Sequence, residues 1–260
     1  MEPIKPYKKD FSYSYALGAF PTYELLRKCP EQALGVYIHS AYTEREELAA
    51  LCQELRVPVL SGDKTIARVS DKENVFVVGV FRKYERRLVH GAPHLMLVNP
   101  SNMGNLGTIL RTCLAMGIHD AALIRPAVDA FHPKAVRASM GALFSVRVQY
   151  FDSFADYAAE YAEDCGAAGG DKRRMFPFML TGKTQLTAEE CPKPECYTLI
   201  FGNEAAGLPE EYAAYGESLL IPQSDEVDSL NLTIAVGIGT YLFAGRGGNG
   251  KKTEKDRKSS

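Results

Sequence analysis

Apolar residues along this chain fall into short runs separated by stretches with helical periodicity. Gly35-Val36-Tyr37-Ile38-His39, Val57-Pro58-Val59-Leu60 and the near-continuous run 75–81 predict three strands, the last apolar enough to be buried on both faces. Residues 22–29 predict a short helix. Thr43 and Glu46 have capping-box spacing, and Leu48, Leu51, Cys52 and Leu55 share one face of the helix they open. Asp63 is placed to cap a short helix running to Val69. This first stretch reads as a small α/β unit ending near Phe81, preceded by a polar, mobile arm over residues 1–10. The linker Arg82-Lys83-Tyr84-Glu85-Arg86-Arg87 is either a solvated connection or a place where cations beside an aromatic meet RNA phosphate and base.

From His94 onward, strands at 95–98, 121–124, 145–149, 176–180, 197–201 and 219–221 alternate with helices, among them 106–116, 154–165 and 232–243. That order predicts a parallel sheet covered on both faces. Ligands of such sheets lie beyond the carboxyl ends of the strands. Three polar clusters follow strands directly: Asn99-Pro100-Ser101-Asn102, Gly202-Asn203-Glu204, and the loop from Pro222 to Asn231. Their shared position predicts that they converge.

Charge and composition narrow the possibilities. The 260 residues carry a net charge of −2, spread as +2 over residues 1–90, −8 over 91–244 and +4 over 245–260. A polyanionic partner would therefore be drawn by the front segment and the tail. The Gly- and Lys-rich stretch 245–260 reads as a disordered basic tail. No apolar run is long enough to span a bilayer, and the first residues lack the apolar core of a signal peptide. The six cysteines show no Cys-x-x-Cys and read as reduced thiols of a cytoplasmic protein. The five histidines have no ligand spacing, so no metal is expected. Thr181-Gly182-Lys183-Thr184 resembles the end of a phosphate loop, but Pro177 stands where the required glycine would be. Gly104 and Gly107 supply only one glycine pair of a dinucleotide fingerprint.

Within the clusters, Arg111 lies two turns inside the helix that Asn102 and Gly104 lead into. It is either solvent-facing or a planar fork for phosphate. Glu204 follows a buried strand, as a cap or a site residue, and Gly202 permits close approach to the backbone. Asp228 or Ser229 could cap the last helix, which leaves Asn231 unexplained.

Together these stretches resemble the three motifs of the SpoU/TrmH branch of the SPOUT RNA methyltransferases. The first covers residues 99–117, with Asn102, Gly104, Arg111 and Gly117 in place; the second covers 199–208; the third covers 221–235. Residues 136–144 are similar to the family's stretch between the first two motifs. The likeness spans residues 92–244, and residues 1–90 resemble the small α/β substrate-binding domain, related to ribosomal proteins, that many members carry in front.

The resemblance implies a trefoil-knotted, Rossmann-like parallel sheet over residues 91–244 behind a small α/β RNA-binding domain over 1–90. It implies S-adenosylmethionine as cofactor, a homodimer completing each site, and transfer of methyl to a ribose 2′-hydroxyl of RNA. Ribosomal RNA is the expected substrate; tRNA, or a non-catalytic role in ribosome assembly, are the alternatives. By the same resemblance, Gly202, Ile221 and Leu230 hold the cofactor through their backbone. Arg111 is catalytic, and Asn102, Glu204, Ser229 and Asn231 orient substrate and arginine. Three positions depart from the family pattern: Ala205 stands where glycine is usual, and Gln223 and Asp225 stand where members often have Met and Gly.

Overall fold

The computed structural model describes residues 4–70, 74–163, 165, 172–192 and 194–244. In the front unit, β1 (Tyr13–Leu17) and β2 (Ala33–Ile38) flank β4 (Val77–Arg82), both antiparallel to it, and β3 (Val59–Ser61) runs parallel to β2 at the edge. Helices α1 (Ala19–Lys28), α2 (Arg45–Glu54) and α3 (Asp63–Val69) complete it. Asp63 does not cap α3 with its side chain, because its carboxylate is taken by the backbone and hydroxyl of Ser40 at 2.9 and 2.7 Å. Strand β1 has no counterpart in the hydrophobic pattern, since Ser14 is as buried as Tyr15. Its hydroxyl is satisfied by the Phe131 carbonyl of the second unit, so a polar residue can face inward there.

The second unit is a five-stranded parallel sheet in the order β7-β6-β5-β10-β8. Its strands are β5 (His94–Val98), β6 (Asp120–Ile124), β7 (Arg147–Phe151), β8 (Arg174–Pro177) and β10 (Tyr197–Phe201). Helices α4 (Met103–Ala115), α5 (Pro133–Ala138) and α7 (Leu232–Ala244) cover one face, and α6 (Phe154–Tyr161) the other. Alternation along β5 divides the core: Leu95 and Leu97 join Leu106, Leu110 and Val236, while Met96 and Val98 join Tyr157 and Tyr161.

Several expectations need correction. The strand placed at 219–221 is not part of this sheet. Its residues Leu219–Leu220 (β11) pair with β9 (Thr184–Gln185) in a separate two-stranded ribbon. The strand placed at 176–180 ends at Pro177, and Leu180 is 60% exposed. The mobile arm is packed down over its described residues: Ile4 is buried, Tyr15 Oη donates to the Lys5 carbonyl at 2.6 Å, and Tyr7 Oη donates to Asp129. The linker is not simply solvated, because Arg86 donates to the Phe144 carbonyl at 3.1 Å and Lys83 pairs with Asp129 at 3.1 Å. The cysteines are not all reduced: Cys165 and Cys196 form a disulfide with Cα atoms 5.8 Å apart, whereas Cys29, Cys52, Cys113 and Cys191 are free and buried. No sequence spacing signalled that pair, because only the fold brings the stretch after α6 to the residue before β10. The basic tail, 245–260, lies outside the described residues.

The sheets divide between Arg82 and His94, but the core does not. Ala16, Leu25 and Phe81 belong to the same buried cluster as Leu106, Phe144 and Val146. The Phe81 ring meets Phe144 edge-on at 5.1 Å, and Cys29 Sγ donates to the Phe144 carbonyl at 3.2 Å. Among the described residues no helix is long and apolar enough to cross a membrane.

Candidate active site

The chain runs β5, β6, β7 outward to one side and then crosses to place β8 and β10 on the other, so the strand order reverses between β5 and β10. Such a switch point opens a crevice at the carboxyl ends of the strands. A cavity of about 430 Å³ lies beside it, walled by the turn after β8, the loop after β10 and the segment leading into α7. Of the predicted site residues, Gly202, Glu204, Ile221, Ser229 and Leu230 line it; Asn102, Arg111 and Asn231 do not.

Glycine at 202 is required by the chain's own packing. A Cβ there would stand 2.1 Å from the Gly207 carbonyl carbon and 2.3 Å from the Leu208 nitrogen. The loop folds back on the strand end, closed by reciprocal backbone bonds between Asn203 and Gly207 at 3.0 and 2.9 Å, with Gly207 at φ +68°. Asn203 supports this from its side chain. Its amide donates to the Asn99 carbonyl at 2.7 Å, and its oxygen accepts from the nitrogens of Ala205 and Ala206. The sequence places Asn203 in this cluster without a role of its own; its signal is an Asn immediately before a short loop rich in small residues.

Glu204 closes the crevice. One carboxylate oxygen accepts from the Ser101 nitrogen and hydroxyl at 3.1 and 2.8 Å; the other accepts from the Asn102 nitrogen at 3.1 Å and the Asn105 amide at 3.3 Å. Burial opposes its ionisation, but the hydrogen bonds from its surroundings, those of Ser101 and Asn105 included, outweigh this and hold the carboxyl below its ordinary value. The carboxylate also sits at the N-terminus of α4, where negative charge is favoured.

Both asparagines are helix caps. Asn102 Oδ1 accepts from the nitrogens of Gly104 and Asn105 at 2.8 and 3.1 Å. Asn231 Oδ1 accepts from the Thr233 nitrogen and hydroxyl at 2.9 and 2.7 Å, which accounts for the polar residue that Asp228 or Ser229 as cap had left unexplained. Arg111 lies on the exposed face of α4, and its guanidinium has no ion-pair or hydrogen-bond partner among the described residues.

The turn after β8 forms the wall that the sequence did not announce. Met179 donates its N–H to the Leu219 carbonyl at 2.9 Å, and a Cβ on Gly182 would lie 2.4 Å from the Leu219 carbonyl carbon. The Thr181-Gly182 pair therefore serves the passage of the later chain, not a phosphate. Among the described residues the main-chain groups of Gly202, Ile221 and Leu230 find no hydrogen-bond partner. Main-chain groups not used within the described fold, around a cavity with Phe178, Phe201 and Leu232 in its walls, suit a ligand that is flat and apolar with polar edges.

A parallel sheet with a cavity at its switch point, walled by three loops of which the last leads into α7, is the architecture of an enzyme that binds a nucleotide-like cofactor. Residues 92–241 match the SpoU rRNA Methylase family, and the chain belongs to it. Its fold is accordingly the α/β knot, in which the segment before α7 passes against the turn after β8. The chain is similar to the 23S rRNA (guanosine(2553)-2′-O)-methyltransferase RlmP of Bacillus subtilis, 27% identical over 190 residues, 72% of each chain. It is similar to the tRNA (cytidine/uridine/adenosine-2′-O-)-methyltransferase TrmJ of Pseudomonas aeruginosa, 30% identical over 171 residues, covering 63% of this chain and 65% of that one. Among solved structures, the AdoMet-bound rRNA methyltransferase from Sinorhizobium meliloti superposes with a TM-score of 0.72 at 27% identity, covering 89% of this chain and 86% of that one.

Proposed function

We propose that this protein methylates a ribose 2′-hydroxyl of ribosomal RNA, using S-adenosylmethionine as methyl donor. The observation that carries the reading is the cavity at the strand-order switch, with the backbone groups of Gly202, Ile221 and Leu230 unpaired around it. Those groups would hold the adenine and ribose of the cofactor, whose sulfonium supplies an activated methyl group when bound.

The remaining residues act through position. Asn102 and Asn231 fix the first turns of α4 and α7, and Glu204 ties the α4 cap to the cavity loop. Ser229 lines the cavity, and in this reading it meets the substrate sugar. Holding the hydroxyl in line with the methyl donor supplies much of the rate. Arg111 stays protonated, as guanidinium groups do, so its role is to attract the substrate phosphate and stabilise the developing alkoxide.

Arg111 is not at the cavity of its own chain, and this favours a homodimer. On α7, Ile234 and Tyr241 are 54% and 64% exposed, and a Cβ on Gly237 would meet open space. This apolar strip, beside α4, is suited to cover a second copy and to bring that copy's Arg111 to the cavity. The front unit adds a second handle on a large folded RNA. A cytoplasmic location belongs to the same proposal and does not rest on the cysteines.

The test is a calorimetric titration with S-adenosylmethionine, followed by mapping of 2′-O-methyl nucleosides in ribosomal RNA and tRNA with and without the gene. Absence of cofactor binding would sink the enzyme reading. A missing methyl confined to tRNA would transfer the assignment to that substrate, which the similarity to TrmJ keeps in view.

A further inference from the structure

A second and larger cleft, about 820 Å³, runs along the free edge of the parallel sheet at β7. The linker after β4 forms one wall and the loop between β6 and α5 the other. Four cations of the front segment, Lys9, Lys83, Arg86 and Arg87, join Arg125 of the acidic second unit along this cleft, against the two carboxylates of Glu85 and Asp129. Positive charge gathered where the basic front segment meets an acidic unit is a local field that calls for a partner.

Two of the cations are committed to the fold: Lys83 pairs with Asp129, and Arg86 donates to the Phe144 carbonyl and, at 3.0 Å, to Cys29 Sγ. Arg87 and Arg125 are not. Arg87 is 87% exposed and lies 3.4 Å from Glu160; Arg125 lies 3.2 Å from Asp152, itself 84% exposed. Such solvated pairs are weak and readily exchanged for a phosphate. Arg125 is nonetheless held in place, with its guanidinium over the Tyr150 ring at 5.0 Å. That ring is fixed in turn, since Tyr150 Oη donates to the Val128 carbonyl at 3.0 Å and accepts from the Ala130 nitrogen at 2.8 Å. A stacked, planar fork that loses little freedom on binding is suited to phosphate oxygens.

The cleft is also joined to the active site. Asn99 donates its N–H to the Ile124 carbonyl at 3.0 Å, and Val128 donates to the Pro100 carbonyl at 3.0 Å. The loop that carries Arg125 is thereby bonded to the loop that carries Ser101 and Asn102. Neighbouring strands are about 4.8 Å apart, so a chain crossing the carboxyl edge of the sheet passes from the α4 cap to Arg125 in one strand spacing.

We propose that this cleft binds the sugar-phosphate backbone of an unpaired RNA strand flanking the target nucleotide, with Arg87 and Arg125 on separate phosphates. This rests on the methyltransferase reading for the RNA itself, and places the second grip between the two units rather than on the front unit alone. The test uses the full chain, the double variant Arg87→Ala/Arg125→Ala, and a short fluorescein-labelled oligouridine whose binding is followed by anisotropy over a range of salt. The double variant should bind about tenfold more weakly, and its salt slope should fall by about 1.4, or ~0.7 for each phosphate of a single strand that is no longer neutralised. Calorimetric affinity for S-adenosylmethionine should stay at the wild-type value. An unchanged slope in the folded double variant overturns the proposal, as does a wild-type chain that does not hold the oligouridine. Displacement of the probe by inorganic phosphate or uridine monophosphate at equal concentration would mean a free-phosphate site and overturns it too. Equal affinity for a fully paired RNA of the same length overturns the assignment to an unpaired strand. A reduced slope in a chain whose wild type fails to bind S-adenosylmethionine supports the cleft and strikes only the methyl-transfer reading.

Discussion

Replacing Gly202 with alanine tests the architecture of the cavity most directly. Ordinary contact for a Cβ begins near 3.4 Å, and the added methyl would stand 2.1 Å from the Gly207 carbonyl carbon, so the loop must retreat by about 1.3 Å. The obstacle is backbone held by two reciprocal hydrogen bonds and by the Asn203 side chain, not a flexible side chain that can swing aside. Overpacking of this kind costs about 1–3 kcal/mol. For a chain of this size that corresponds to a melting temperature lower by about 2–6 °C. The same retreat moves one wall of the cavity. A displacement of about 1 Å costs about 100-fold in transfer rate, and loss of one main-chain hydrogen bond weakens cofactor affinity by about tenfold. Thermal melting, calorimetric titration with S-adenosylmethionine and single-turnover methyl transfer measure the three effects. A Gly202→Ala chain with wild-type melting temperature and wild-type affinity would refute the close-approach reasoning.

Arg111→Ala should lower methyl transfer by about 10²–10³-fold while leaving calorimetric affinity for S-adenosylmethionine intact; a fall in cofactor affinity would place Arg111 on the wrong side of the reaction. Glu204→Gln should flatten the acid limb of stability. The native carboxyl is held below its ordinary value, so its contribution is present at neutral pH and lost as pH falls through that depressed value. Melting curves from about pH 7 to pH 3 check this, and parallel curves for the two proteins would contradict it. Ile234→Asp together with Tyr241→Asp should yield a monomer by analytical ultracentrifugation with no methyl transfer; an active monomer would refute a shared site. Removing residues 1–90 should leave an unstable, aggregating chain, because Phe81 and Leu25 belong to the core that contains Leu106 and Phe144. A soluble, cooperatively melting remainder would show the two units to be independent.

Much of the site is legible in one dimension because its residues sit where strand runs stop. The strands β5 and β10 announce themselves as unbroken apolar runs, and the polar residues directly after them must lie at the sheet's carboxyl edge. Gly202 and Glu204 follow the end of β10, Ile221 ends the run that became β11 of the separate ribbon, Ser229 and Leu230 lie in the loop beyond it, and all five line one cavity. Harder to read are the residues whose use depends on a fold-level partner. Asn231 looks out of place until its oxygen is seen to cap α7, and Glu204 shows its use only beside Ser101 and Asn105, about a hundred positions earlier.

Local periodicity is short-ranged, and so it carried most of the elements, their order and the parallel arrangement of the large sheet, but not β1 or β9. It could not carry the pairing of Cys165 with Cys196, the separate ribbon of β9 and β11, or the burial of Ser14 against Phe131. Each depends on which surfaces meet after the chain has crossed the sheet. The same holds for the shared core: Phe81 reads as the end of a strand in a unit of its own, and only packing against Phe131 and Phe144 makes it part of the other. Motifs at strand ends survive in one dimension because a strand has a direction. Contacts between elements do not, because they belong to the closed surface that only the folded chain possesses.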